Sequence, residues 1–461
     1  MSDFKIIIGL EIHAQLNTKS KMFCCCDNDS QGKKPNTVVC PICLGMPGTL
    51  PMPNKEAILK TLKLGKALSC EIPNYSKFDR KHYYYPDLPK GYQISQYDMP
   101  LCIGGNVSLE LNGVMKSVKL NRIHLEEDAG KLIHLSKNTI VDLNRAGTPL
   151  VEIVTEPVIS SPAEAKEFMR SLQKILRQLN VSNADMEKGH LRCDANISVI
   201  RSDQSSKIIE IKNLNSFKFV YRALEFEINR LTSDFEGNIG PGKQTRGFDS
   251  KRSQTYPQRL KEEASDYRYF PEPDIPTIDT TLLKIEEVDS ELPSTFVLRV
   301  HEEYNLSKEV AKKLTHNLEL MSCFIVLEGK LNHDSLKRSA NWLANEKILR
   351  INPDLLVTLN RSIEKSEINS SQAKSILRSA VDEEDIVQQI KKFRSNDGRD
   401  IDGVRKIIDK VVESNKKEKE KYLAGKKQIL GFFIGQVLGE LKGNGNPEEI
   451  SQMLKSKLDG K

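Results

Sequence analysis

What most constrains the fold of this chain is a change of texture near Pro293. Before it lie most of the Gly, Pro and Cys residues and many short runs in which apolar and polar residues alternate. Alternation at period two belongs to strands with one buried face, and Gly- or Pro-containing breaks suit tight connections. We therefore expect residues 1–292 to form an α+β domain rich in antiparallel strands. One helix is marked within it: Ser161 is placed to cap, Pro162 opens the first turn, and Phe168, Leu172, Ile175, Leu176 and Leu179 follow at helical spacing. Beyond Pro293 the pattern predicts long helices, such as 307–320 and 334–344, and hence an all-α domain over 293–396. A break at Ser395-Asn396-Asp397-Gly398-Arg399-Asp400 reads as a linker to a small helical tail, 397–461, which contains a Gly-Asn-Gly-Asn-Pro turn at 443–447.

At 461 residues the chain has room for about three domains. Its 38% hydrophobic and 29% charged residues are those of an ordinary globular protein. The apolar start Ile6-Ile7-Ile8-Gly9-Leu10 is interrupted by Glu11 and His13, too soon for a membrane span or a signal peptide. No Arg precedes Arg80, unlike a transit peptide. No membrane association and a cytoplasmic location are expected, where nine cysteines serve as thiols or metal ligands. The formal net charge is +6, and residues 405–461, with 13 Lys or Arg against 8 Asp or Glu, carry most of it. On its own, the run Lys416-Lys417-Glu418-Lys419-Glu420-Lys421 reads as a solvated helix face.

Five of the nine cysteines fall in one stretch: Cys24-Cys25-Cys26, a 13-residue interval, then Cys40-Pro41-Ile42-Cys43. Two from the first group and the Cys-x2-Cys knuckle can supply four thiolates to a tetrahedral Zn²⁺. Such a closed site is structural and would hold the loop from Lys21 to Gly48.

A second constellation is acidic. Alternation from Leu10 to Leu16 puts Glu11, His13 and Gln15 on one strand face and Leu10, Ile12, Ala14 and Leu16 on the other. His124-Leu125-Glu126-Glu127-Asp128 packs three acids together, and Val141 to Glu156 adds Asp142, Glu152 and Glu156. Carboxylates on neighbouring strands repel unless a cation bridges them, and oxygen ligands with one imidazole suit Mg²⁺ carrying phosphates. Lys77-Phe78-Asp79-Arg80-Lys81-His82-Tyr83-Tyr84-Tyr85 offers cations that could neutralise phosphate. The strand Leu191 to Val199 places Arg192, Asp194, Asn196 and Ser198 on one wet face. Neither a P-loop, nor a dinucleotide fingerprint, nor a Gly-x-Ser-x-Gly elbow, nor a Gly-Gly-Ser-Ser amidase run is present.

Ile8-Gly9-Leu10-Glu11-Ile12-His13, Lys77 to Lys81 with Tyr85-Pro86-Asp87, Gln93-Ile94-Ser95-Gln96, His124 to Lys131, Val141 to Pro157, Leu191 to Ser198 and Asp266 to Asp274 resemble, in order and spacing, the B subunits of aspartyl/glutamyl-tRNA(Asn/Gln) amidotransferases, the GatB family. The resemblance spans essentially the whole chain, since Gly425 to Pro447 is similar to the tail that family shares with YqeY proteins. It implies a cradle like the antiparallel catalytic sheet of glutamine synthetase. It also implies an ATP-dependent ligase chemistry: phosphorylation of the side-chain carboxylate of Glu-tRNA(Gln) or Asp-tRNA(Asn), followed by amidation. By position it implies Glu11, His13 and Glu127 as Mg²⁺ ligands with Glu152 added, Lys81 as a phosphate or channel residue, Arg80 for the phosphate side, and Cys24, Cys26, Cys40 and Cys43 as zinc ligands, although Cys25 makes the neighbour an alternative. Ammonia from glutamine would come from an amidase A subunit, with a small C subunit completing a heterotrimer. The basic tail would contact tRNA phosphates. The competing reading is a non-catalytic, zinc-stapled tRNA-binding scaffold whose acids form a structural ion cluster.

Overall fold

The computed structural model describes residues 4–201, 204–236, 244–258, 267–286, 291–396, 401–441 and 447–459. The chain is α+β and divides into two compact units, 1–296 and 297–461. Of the motifs read above, Asp266, the linker residues 397–400 and the turn residues 443–446 lie outside the described residues.

The first unit is built on a ten-stranded sheet. Its main path runs Gln254–Pro257, Gln244–Asp249, Ile209–Leu214, Leu191–Arg201, Phe4–Gln15, Pro149–Thr155, Val114–Glu127, Cys102–Ile103, with Gln204–Ser205 and Asn106–Leu111 attached at the sides. Every pairing is antiparallel except Ile209–Leu214 with Gln244–Asp249, which is parallel and is joined by a connection containing the helix Phe217–Glu236. Alternation decides which face is buried. Ile8, Leu10, Ile12 and Ala14 of the first strand with Leu16 just past its end, and Leu191, Cys193, Ala195, Ile197 and Val199 of the central one, are all at most 1% exposed. Helices close that face. Phe168, Leu172 and Leu176 of Pro162–Gln178 share one apolar cluster with Leu224 and Leu231 of Phe217–Glu236 and with the inward residues of the sheet. Ser161 caps the first of these helices, accepting from Glu164 N at 3.2 Å, as its sequence indicated.

The opposite sheet face is therefore the polar one, made of the alternate positions of the same strands. Beside it stands a small three-stranded sheet, Phe270–Pro271 against Asp79–His82 against Tyr92–Ser95.

The second unit, taken by itself, is helical. The expected helix over 307–320 is two: Lys308–Leu314 ends at Thr315, and Asn317 starts Leu318–Glu328 by accepting from Glu319 N at 2.9 Å. An Asn side chain this close to the backbone competes with helix continuation and favours a cap, which a hydrophobic period does not reveal. Toward its end, Ile408, Val412, Tyr422, Phe433, Val437, Ile450, Leu454 and Leu458 form an apolar cluster of their own. Among the described residues no helix is long and apolar enough to cross a membrane.

Phe168 is fully buried between the sheet and its helical cover. Replacing it by Ala should lower stability by about 3–5 kcal/mol through lost transfer energy and a cavity; chemical denaturation measures this, and a loss below about 1 kcal/mol would contradict the packing described.

Candidate active site and metal centre

The strand register assembles the acidic site. His13 lies opposite Glu152, and Glu152 lies opposite His124, so imidazole, carboxylate and imidazole form one row across three strands. Glu126, two residues along from His124 and therefore on the same face, joins them. His13 Nε2 is 3.5 Å from Glu126 Oε1 and 3.3 Å from Glu152 Oε2, while His124 Nε2 is 3.3 Å from Glu152 Oε2. The ligand atoms of His13, Glu126 and Glu152 all lie within 4.8 Å of one another.

Two nearly buried carboxylates side by side need positive charge. Burial alone would lower the pKa of His13, but the charge and hydrogen bond of Glu152 and the charge of Glu126 outweigh it and raise the value to about 9. Burial likewise opposes ionisation of Glu152, and the two imidazoles overcome it, holding the carboxyl well below its usual range. The imidazolium thus occupies the electrostatic position that a cation would take. His124 Nδ1 is buried without a hydrogen-bond partner, an exception among buried polar atoms. The two carboxylates and the His13 imidazole, which would give up its proton on binding, fit a divalent cation.

Lys81 stands beside this trio. Its ammonium is 4.8 Å from the ring centre of Tyr267 and 5.9 Å from that of Tyr83. Burial would release its proton, but Tyr269, Glu126 and Glu152 hold it. Glu11 lies two residues from His13 on the same face, opposite Asp194, and accepts from Asn196 Nδ2 at 2.8 Å. Asp194 and Glu210 in turn bracket the Lys212 ammonium at 3.4 and 3.2 Å. Arg192, opposite His13, donates to Asp128 at 2.6 Å.

Two residues singled out from the sequence sit elsewhere. Glu127 has the opposite strand parity from Glu126, turns away from the trio, pairs with Lys90 and accepts from Ile94 N at 3.0 Å. Arg80 is held by Glu272 through two hydrogen bonds of 2.7 Å and lies over the Tyr92 ring at 4.3 Å, which ties the segment 267–274 to the small sheet. Glu126 and His124 belong to the cluster although the motif alone did not single them out. The signal that identifies them is opposite parity to Ile123 and Leu125, which are fully buried on the apolar side.

The cysteine loop forms the second centre. Cys24, Cys26, Cys40 and Cys43 bring their sulfurs within 4.8 Å of one another, while Cys25 points out and is exposed. A hydrogen bond from Cys24 is the largest influence holding the Cys43 thiol down to about 5, with Lys21 adding to it. Cys24 is pushed up by the same hydrogen bond to Cys43, and burial pushes Cys26 up to about 11. Lys21 is fully buried, donating to Val38 O at 2.8 Å and lying 3.8 Å from Cys43 Sγ. Four sulfurs closed around one point, with a buried cation alongside, fit a metal bound by thiolates and leave no open position for substrate.

With this geometry in place, likeness to known proteins becomes informative. The family described as the GatB/GatE catalytic domain matches residues 6–286, the whole strand-rich unit but for its ends, and the GatB domain matches 326–458. The chain belongs to the GatB family. It is 42% identical over 479 residues to the B subunit of the aspartyl/glutamyl-tRNA(Asn/Gln) amidotransferase of Pseudothermotoga lettingae, covering 99% of both chains. It is 42% identical over 484 residues to that of Thermotoga neapolitana, again at 99% of each. With the corresponding chain of Persephonella marina it shares 40% over 483 residues, 99% of this chain and 100% of the other. As a GatB-family chain it is one subunit of a multi-subunit, tRNA-modifying amidotransferase of the ligase type.

Metal analysis tests the thiolate centre. The purified protein should carry one tightly held thiophilic ion per chain, lost in Cys40→Ser and kept in Cys25→Ser; equal metal content in the two variants would rule out this ligand set.

Proposed function

We propose that this chain is the synthetase half of a glutamine-dependent tRNA amidotransferase. It uses ATP to activate the side-chain carboxylate of Glu-tRNA(Gln), Asp-tRNA(Asn) or both, and ammonia then converts the activated group to the amide. The observation that carries this reading is the convergence of His13, Glu126 and Glu152 within 4.8 Å on the polar sheet face. In the first step a substrate carboxylate oxygen attacks the γ-phosphorus of ATP, the bond to the β-phosphate oxygen breaks, and ADP leaves. In the second, the ammonia nitrogen attacks the acyl carbon, inorganic phosphate departs with the bonding pair, and the nitrogen loses a proton.

Both steps bring anions together, so the protein's task is to place positive charge and fix geometry. His13, Glu126 and Glu152 are the residues to hold Mg²⁺, with Glu11 flanking; the ion, when bound, would offset phosphate charge and align the phosphoryl group. Lys81 faces the same acids and offers a fixed cation for the incoming carboxylate or phosphate. Tyr83, Tyr267 and Tyr269 surround that lysine and limit water at a centre where an acyl phosphate would hydrolyse. Nucleophilic hydrolysis of glutamine finds no machinery in the sequence, so ammonia is assigned to an amidase A subunit, with a small C subunit as third member. The four-cysteine centre is assigned to structural Zn²⁺. The units are read as a cradle over 1–292, a helical domain over 293–396 and a tail over 397–461.

In a reconstituted complex, Glu152→Gln should cut ATP-dependent amidation of mischarged tRNA roughly 100-fold or more while glutamine hydrolysis by the partner continues. Undiminished amidation would overturn the site. Phosphate release from ATP in the presence of mischarged tRNA separates this enzyme from a zinc-stapled scaffold, which would release none.

The tail should add nonspecific electrostatic affinity. Lys406, Lys410 and Lys416 border one groove there, with Asp409 and Glu413 between them. Changing all three to Gln should raise the KM for tRNA and lower the slope of log KM against log salt by about one for each phosphate left unneutralised, whatever the tRNA species. An unchanged slope would return that surface to a solvated helix face.

A further inference from the structure

The strap 267–274 carries more aromatic rings than roofing one lysine requires. It is fastened through Arg80 to Glu272 and through His82 Nδ1, 3.1 Å from Arg268 O. Two of its rings are stacked: Tyr269 on Tyr97, with ring centres 4.4 Å apart and planes 13° apart, and Phe270 on His82, at 4.8 Å and 22°. The inner ring of the first pair, Tyr269, lies within the electrostatic reach of Lys81, Glu126 and Glu152. The outer ring belongs to Tyr97. It is held by its backbone, whose N–H donates to Asp79 Oδ2 at 2.9 Å, and Asp79 is buried and paired with Lys77 at 2.6 Å. Although one ring face is stacked, Tyr97 is 49% exposed, so the exposed part is what Tyr269 leaves uncovered. Here a ring whose backbone is fixed is left half open, stacked on a tyrosine within the electrostatic reach of a lysine and two of the acids.

We propose that Tyr97, backed by Tyr269, is the stacking site for a nucleobase of the unpaired 3′ end of the RNA substrate. This rests on the reading of the trio as the amidation centre. Single-stranded RNA is held by stacking on aromatic faces with cations close by, and such stacking tolerates any base. An aminoacyl group esterified to the terminal ribose must reach the acids while its base remains outside, and contacts from Tyr97 to Tyr269, from Tyr269 to Tyr267 and from Tyr267 to Lys81 link the two places. The adenine of ATP is the competing occupant. A small-molecule site encloses most of its ligand, and half-exposed Tyr97 offers one open platform, which favours the RNA end.

The test uses the reconstituted amidotransferase with mischarged tRNA. Tyr97→Ala should raise the KM for tRNA about tenfold, the size of one lost base stack, and leave the KM for ATP unchanged. Tyr97→Phe should behave as wild type, and Tyr97→Leu, similar in bulk but without a π face, should behave as Ala. A short RNA ending in CCA should inhibit wild type and lose about tenfold in potency against Tyr97→Ala. An unchanged KM for tRNA in Ala and Leu variants that retain wild-type glutaminase coupling and thermal stability would overturn the proposal. So would a rise in the KM for ATP instead, which would assign the ring to adenine. If the wild-type complex shows no ATP-dependent amidation, the functional reading fails first; if it amidates normally and the variants match it, only the stacking site falls.

Discussion

Like charge in close quarters governs this molecule. Glu126 and Glu152 are almost buried on adjacent strands, an arrangement that repels unless something positive stands between them. His13 supplies that charge with a pKa near 9, and Lys81 approaches from beside the sheet. The rest of the first unit can be understood as the scaffold that keeps this unfavourable grouping from relaxing. An antiparallel sheet fixes register to the residue, a helical cover over the apolar face fixes the sheet, and the small sheet with its strap fixes the lysine. Carboxylates free to move apart would do so, and the site would lose its appetite for cations.

The two candidate metal centres rest on opposite principles. The acidic trio uses hard oxygen donors, an imidazole and an open polar face, which suits an ion that must also meet phosphate. The cysteine centre closes four sulfurs around one point beneath a loop, which suits an ion that holds shape. The two are buried to a similar degree, so what separates them is the donor set and not exposure: Glu126 and Glu152 are as covered as Cys24 and Cys43.

Much of this was legible in the sequence, and particular residues show where legibility ended. Period-two alternation gave the buried faces of Phe4–Gln15 and Leu191–Arg201, because one apolar face is all a half-covered strand needs. Ser161 and Pro162 gave the start of their helix, since capping is local. The spacing of the cysteines marked the loop but left open which of Cys24, Cys25 and Cys26 take part, and the fold turns Cys24 and Cys26 inward and Cys25 out. Choosing between adjacent Glu126 and Glu127 was harder. Both are acids in the same motif, and only the register of Val114–Glu127 against Pro149–Thr155 turns one to the trio and the other to Lys90. Arg80 offered no local sign of Glu272, because the two are 192 residues apart and meet only through the tertiary fold.

That long separation has a consequence during synthesis. All three acidic-trio residues have been made by residue 152, and the sheet rows that align them are nearly complete by residue 201. The strap that fastens onto Arg80 emerges some seventy residues afterwards, at roughly 5–20 residues per second. Until residues 267–274 have been made, Arg80 lacks the carboxylate that pairs with it, and Lys81 lacks the tyrosine that this fastening sets beside it.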